Sequence, residues 1–247
     1  MIAADIKNHM LGTYVALRRL MAVVTFAFLV TLAGYRMYGE DPATRNSISA
    51  YYYHQNNDFR MKDVFIASLS AVGLLLIAYQ GYTNHENWAL NIAGVGLLLV
   101  VSFPMDWPES DDPLSDRAKV HYTGAVLFFL ALGYVCLFRA HDTLQFLHTE
   151  ERKRLFRNLY RVTGTLMIGA PLTAISIHYI SIHFFADKSW GSWVYWVEWI
   201  GVFVFLSYWV IKSTELRLTR LETEEKADAL ASCPIKEYFW PNRPPGA

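Results

Sequence analysis

Hydrophobic residues fall into six long blocks along the chain, separated by short polar segments. The blocks are Leu20–Tyr35, Val64–Tyr79, Trp88–Phe103, Tyr122–Phe138, Val162–Phe185 and Trp190–Ile211. Runs this long and this poor in charge are typical of membrane spans. Backbone groups in hydrocarbon must bond within their own segment, and the blocks lack the alternation of barrel strands, so helices are predicted. The fold class is therefore an all-α polytopic bundle of six transmembrane helices.

Composition supports this assignment. The chain of 247 residues is 53% hydrophobic and 18% charged, whereas soluble domains carry about a quarter charged residues. The first three blocks are short for a span, so their helices should extend into flanking polar residues such as 16–19 and 61–63. The formal net charge is zero, which disfavours a nucleic-acid partner.

Basic residues predict the orientation in the membrane. With the N-terminus inside, inner segments hold twelve Lys and Arg residues and outer segments hold seven. Both termini are therefore expected to be cytoplasmic. The predicted organisation is a six-helix domain at 1–213, with a basic amphipathic cytoplasmic loop at 139–161, followed at 214–247 by a charged helix and an irregular tail.

Polar residues gather at the predicted outer end of the bundle. The expected pocket residues are Ser47, Ser49, Asp106, His121, His178, His183 and Glu198. Ionisable groups inside the hydrocarbon are costly and commonly functional, so these residues predict an outward-facing polar pocket for a lipid or small ligand.

Two contacts are predicted within this group. Ser47 and Ser49 should face inward and bond the 103–121 segment. Glu198 should face the bundle interior within hydrogen-bonding or water-bridged reach of His178. The alternative is that Glu198 and His178 form an ordinary interhelical contact with no further role.

Metal binding is an open alternative. His121, His178, His183 and Asp106 have the donor types that zinc uses. However, His178 and His183 are five residues apart, about 140° around a helix, which argues against a tight motif. Haem is disfavoured because His121 is predicted at the rim rather than at a depth matching His178.

Other repeated residues have simpler explanations. Tryptophans recur at every third position of the sixth block, at 190, 193, 196 and 199, as expected for an aromatic belt. Four glycines, Gly73, Gly94, Gly96 and Gly124, are expected to allow close approach of helices rather than to bind phosphate.

Three short motifs carry a family resemblance. They are "SISAY" after the first block, "FPMD" closing the third and "HYTGA" opening the fourth. They resemble the bacterial domain-of-unknown-function family 998, which is akin to the Frag1/DRAM/Sfk1-like membrane proteins. The resemblance implies a six-helix bundle in the bacterial inner membrane with its polar residues on one face, and it implies no established activity.

A more distant similarity is to the alkaline ceramidase and progestin-receptor-like membrane hydrolases. That similarity implies a zinc site built from serine, aspartate and three histidines. Ser49, Asp106, His121, His178 and His183 could supply those residue types, although their order and spacing differ.

Three functions therefore remain open. The first is binding of a lipid or small ligand in the outer pocket, and the second is metal-dependent hydrolysis of a membrane lipid there. The third is a role as accessory subunit of a larger membrane complex, with the partner contacting the Trp-rich sixth helix and the C-terminal tail.

Overall fold

The computed structural model describes residues 2–38, 47–53, 61–106, 114–184 and 191–219, with the backbone alone at 2–10, 38, 174, 177–184 and 191–193. In these ranges the helices are α1 (Ile2–Tyr38), α2 (Met61–Ala78), α3 (Asn84–Ser102), α4 (Asp116–Tyr134), α5 (Glu150–Phe184) and α6 (Gly191–Thr219). A short 3₁₀ helix, Ser49–Tyr53, follows α1. The described part of the chain is thus all helical.

Four of these helices are long and apolar enough to cross a membrane. The candidate spans are Leu11–Met37, Met61–Ala78, Asp116–Phe146 and Val194–Thr219. Large apolar side chains such as Val23, Phe26 and Leu74 are exposed on the outside of the bundle, where water would make them unfavourable and lipid would not. The helices indicate an integral membrane protein.

Helix ends agree with the expected extension into polar sequence. α1 includes residues 16–19 and α2 begins at Met61. α3 and α4 begin with capping hydroxyls: Thr83 Oγ1 accepts from Glu86 N, and Ser115 Oγ accepts from Ala118 N. Each cap satisfies a backbone N–H that the helix itself cannot bond.

The basic segment at 139–161 divides into two parts. A π-helical turn (Val135–Arg139) and a 3₁₀ turn (Ala140–Phe146) end α4 and lead towards α5. Residues 150–161 are then the first three turns of α5 itself. Instead of belonging to a separate loop, they form one continuous helix with the fifth hydrophobic block because Phe156 and Tyr160 continue its buried face.

Sequential helices pack side by side. Each helix contacts the next along the chain, and α6 returns to contact α1, so the six helices form a closed ring. Short connections between neighbours favour this order.

Four glycines allow close helix contacts, as predicted. A methyl group placed on Gly96 would lie 2.6 Å from the Gly124 carbonyl oxygen, and one on Gly124 would lie 2.6 Å from that of Gly96. Gly73 of α2 and Gly94 of α3 face each other similarly, at 3.1 Å and 2.6 Å. Larger residues would push α3 away from both neighbours.

Candidate functional site

A carboxylate of α6 binds the segment that follows α1. Ser47 Oγ donates to Glu198 at 2.9 Å from Oε1 and 2.8 Å from Oε2, and Ile48 N–H donates to Oε2. Ser47 is only 6% exposed. Glu198 therefore binds at the start of the short helix Ser49–Tyr53 and holds that segment over the end of the bundle.

His121 joins the same segment to α3 and α4. Its Nδ1 lies 3.1 Å from the Val100 carbonyl oxygen and 3.0 Å from that of Phe103, and its Nε2 lies 3.1 Å from Ser49 Oγ. Carbonyl oxygens only accept, so Nδ1 carries the proton. In the neutral ring Nε2 then accepts, and the Ser49 hydroxyl donates to it. We call Ser47, Ser49, His121 and Glu198 the hydroxyl cluster.

Asp106 lies beside this cluster but is engaged elsewhere. Ser115 donates to its carboxylate through both the hydroxyl and the backbone N–H. These two bonds, the hydroxyl's first, hold the pKa of the Asp106 carboxyl below its usual range because they favour the charged form. The preceding Met105 is closer to the cluster: its sulfur lies 3.9 Å from Ser47 Oγ, and its carbonyl accepts from Tyr53 Oη.

A cavity of about 140 Å³ opens beneath the hydroxyl cluster. Five helices, α1, α2, α3, α4 and α6, contribute to its wall. Its polar boundary contains Ser49, His121, Tyr122 and Glu198. The apolar lining includes Phe28, Phe65, Leu97, Phe128 and Phe205. An apolar cavity with a few convergent polar groups at one end is the usual form of a small-ligand site.

Two predicted contacts can be compared with this geometry. Ser47 and Ser49 do face inward and contact the 103–121 segment, through Met105 and His121 respectively, which confirms that prediction. Glu198 also faces polar groups, namely Ser47 and the Ile48 N–H. Its predicted contact with His178 stays a prediction, because the side chains of His178 and His183 lie outside the described residues.

The metal prediction is also untested. Among the described side chains, no group of three or more His, Cys, Asp or Glu residues could hold a metal ion. Two of the four predicted ligands, His178 and His183, are not among those side chains. Of the other two, His121 uses both ring nitrogens in the contacts above and Asp106 binds Ser115.

Comparison with known proteins confirms the family resemblance of the three motifs at this end of the bundle. Residues 20–212 match the family described as protein of unknown function (DUF998). The chain belongs to the DUF998 family. The match includes all three motifs, and thereby Ser47, Ser49, Asp106 and His121. No curated protein and no solved structure matches the chain.

A second polar group lies at the opposite end of this DUF998 protein, and sequence reasoning missed it. Lys212 of α6 is 2% exposed and Glu215 is fully buried. Lys212 Nζ lies 3.2 Å from Glu215 Oε2 and donates to Thr143 Oγ1 at 2.7 Å. Tyr160 Oη donates to the same Glu215 oxygen at 2.6 Å. These bonds join α6 to α5 and to the turn after α4.

Two further buried charges belong to the same region. Glu86 accepts from Tyr82 N–H at 2.8 Å, and the Arg18 guanidinium lies 3.5 Å from Tyr79 Oη. Tyr79 is close enough to Arg18, Glu86 and Lys212 to interact electrostatically with all three. We call Arg18, Glu86, Tyr160, Lys212 and Glu215 the charged cluster.

The sequence did contain a signal for this cluster. Thr83 and Glu86 form the Thr-x-x-Glu pattern of a capping box at the start of α3, and Lys212 and Glu215 stand three residues apart at the end of an apolar run. That spacing places both side chains on one helix face.

Proposed function

We propose that this DUF998 protein binds the acyl chain of a membrane lipid, or a small apolar ligand, in the cavity beneath the hydroxyl cluster. The observation that carries the proposal is the cavity itself, with aromatic and aliphatic walls and the polar groups of Ser49, His121 and Glu198 at one end. Apolar walls suit an acyl chain, and the hydroxyls and imidazole suit an ester or headgroup.

The proposed topology has six spans with both termini in the cytoplasm of the bacterial inner membrane. α5 supports a fifth span because 35 residues extend about 53 Å at 1.5 Å per residue, more than the roughly 30 Å hydrocarbon core. Its first turns carry exposed Arg154, Arg157 and Arg161, as expected beside anionic headgroups on the inner surface. The cavity's polar end then faces outward.

Ligand retention tests the binding proposal. Ala125 lines the cavity, so Ala125→Leu should fill it and reduce the lipid that co-purifies with the protein, as counted by native mass spectrometry from nanodiscs. Ala27 is exposed on α1, so Ala27→Leu is the matched control and should retain lipid like the unchanged protein. Equal retention by both variants would refute binding in this cavity.

Cysteine labelling tests the topology. The two native cysteines are replaced and a single cysteine is placed at Gln145, which is exposed on the turn before α5. A membrane-impermeant maleimide should label it only after the cells are opened. Labelling in intact cells would invert the orientation and put the hydroxyl cluster on the cytoplasmic side.

A further inference from the structure

We propose that Ser49 is a nucleophile that accepts an acyl group from a lipid ester, with His121 as its base. This inference rests on the proposed function, because the acyl chain of that ester would occupy the cavity. It requires no metal, and it assigns different roles to the two serines of the cluster: Ser49 reacts and Ser47 positions.

Hydrogen bonding separates the two serines. Ser47 is buried, and its hydroxyl donates to Glu198. Its oxygen also accepts from Ser49 N–H at 3.1 Å. Ser49 is half-buried, lines the cavity and has its hydroxyl 3.1 Å from His121 Nε2. A serine is activated when a base accepts its proton. Both serines have a basic partner, but Ser47 is buried outside the cavity lining, whereas Ser49 presents its hydroxyl and its imidazole partner to the cavity.

His121 is oriented for that role. Contacts from Nδ1 to two carbonyl oxygens at the end of α3 hold the ring and leave the Nε2 lone pair towards Ser49. A group that fixes the tautomer of a base is the third part of a nucleophile–base–orienter arrangement. Capping of α3 alone would explain the Nδ1 contacts, but it does not explain a hydroxyl on Nε2 at the boundary of an apolar cavity.

The reaction balances with a lipid ester and water. Ser49 Oγ bonds to the ester carbonyl carbon while its proton passes to His121 Nε2. The bond from that carbon to the alcohol oxygen then breaks, and the alcohol leaves with the proton from His121. Water attacks the acyl-serine carbon in the second half, losing a proton to His121, which returns it to Ser49 as the fatty acid leaves.

A long-chain alkyl fluorophosphonate tests the proposal directly. Its phosphorus should bond to Ser49 Oγ with loss of fluoride, as detected by intact mass and peptide mapping of the purified protein. Ser49→Ala should abolish the adduct. Ser207 of α6 is outside the cavity lining and donates to its own helix at Phe203 O, so Ser207→Ala is the matched control and should label at the rate of the unchanged protein.

His121→Asn tests the base separately from the fold. The asparagine amide can still donate to the Phe103 carbonyl, but it has no equivalent of Nε2. Labelling should slow by about 10²-fold or more, the usual contribution of a general base, while the melting temperature changes little. If this variant does not fold, the labelling rate of the unchanged protein against pH replaces it and should rise as the imidazole loses its proton.

The outcomes distinguish the two proposals. Lipid retained by the unchanged protein without any Ser49 adduct would overturn the nucleophile and leave binding intact. Equal labelling of Ser49→Ala, or a flat pH profile, would also overturn it. Absence of both retained lipid and adduct would reject the binding proposal itself.

Discussion

The two ends of the bundle hold ionisable groups in different ways. In the charged cluster, two cations and two carboxylates lie among packed aromatic rings, and Lys212 and Glu215 are almost completely buried. In the hydroxyl cluster, the Glu198 carboxylate accepts from the Ser47 hydroxyl and from the Ile48 N–H, and a cavity lies beside it. The charged cluster is packed around a buried ion pair, whereas the polar groups of the hydroxyl cluster border a cavity.

This difference indicates which cluster mainly stabilises the fold and which could bind a ligand. The Lys212–Glu215 ion pair lies within α6, and its hydrogen bonds with Thr143 and Tyr160 join α6 to two other chain segments. Buried contacts of this kind are suited to fixing helix positions. The Ser49 hydroxyl and the His121 imidazole at the cavity boundary can exchange partners with a ligand at small cost, because the bond between them is neutral and Ser49 is half-buried. The hydroxyl cluster is therefore the better candidate site.

Breaking the charged cluster should have the largest effect on stability. Lys212→Met leaves Glu215 buried without its cation, which typically costs about 3–5 kcal/mol of unfolding free energy. Equilibrium unfolding in mixed micelles measures the loss. Lys153 forms an exposed pair with Glu150 at the same three-residue spacing, with N–O 2.7 Å, and Lys153→Met should be close to neutral. Similar losses of unfolding free energy for both variants would show that the buried ion pair of the charged cluster stabilises the fold no more than an exposed one.

The next largest effect on stability should come from glycine substitutions at the α3–α4 contact, which positions His121. Gly96→Ala places a methyl group 2.6 Å from the Gly124 carbonyl oxygen, and overpacking of this kind costs about 1–3 kcal/mol. A methyl on Gly34 of α1 would meet nothing within 4 Å, so Gly34→Ala is the control and should be neutral or slightly stabilising. Thermal melts of both variants give the comparison; equal melting temperatures would show that α3 and α4 can separate freely.

Hydropathy and small residues predicted the parts of the fold that depend on local pattern. Helix positions, the close glycine contacts and the inward-facing serines follow from residue type, spacing and the cost of polar groups in lipid. The Ser47 contact of Glu198 did not follow, because the prediction considered only His178 on the neighbouring helix, whereas Ser47 reaches Glu198 from the segment after α1. The charged cluster was missed because the basic residues of the inner segments, Lys212 among them, were used only to predict the orientation in the membrane.

The Glu198–Ser47 contact should affect ligand retention more than folding. Glu198→Gln keeps one acceptor oxygen but loses the charge-assisted bonds to Ser47 and Ile48, at a cost of about 1–3 kcal/mol. The segment carrying Ser49 should then be less firmly held over the cavity, and retained lipid should fall more than the melting temperature. Ser207 donates to its own helix at Phe203 O, so Ser207→Ala is a control on α6. A variant that loses stability but keeps its lipid would make Glu198 purely structural.

The smallest effect should come from Asp106, beside the hydroxyl cluster but outside the spans. Because the Ser115 bonds lower the pKa of this carboxyl from its ordinary 3.8, they stabilise the fold fully above that pH. Their contribution disappears as pH falls through the lower value of the folded protein. Asp106→Asn cannot titrate, so its melting temperature should differ most from that of the unchanged protein above pH 3.8, and the two should converge below it.

Ser115→Ala should lose the same pH dependence and also the α4 cap, which lowers its melting temperature at every pH. Parallel melting curves for Asp106→Asn and the unchanged protein from neutral to acid pH would mean that Ser115 does not hold the carboxylate. The 103–106 segment would then be held by the contacts of Met105 with Tyr53 and Ser47, which connect it to the hydroxyl cluster.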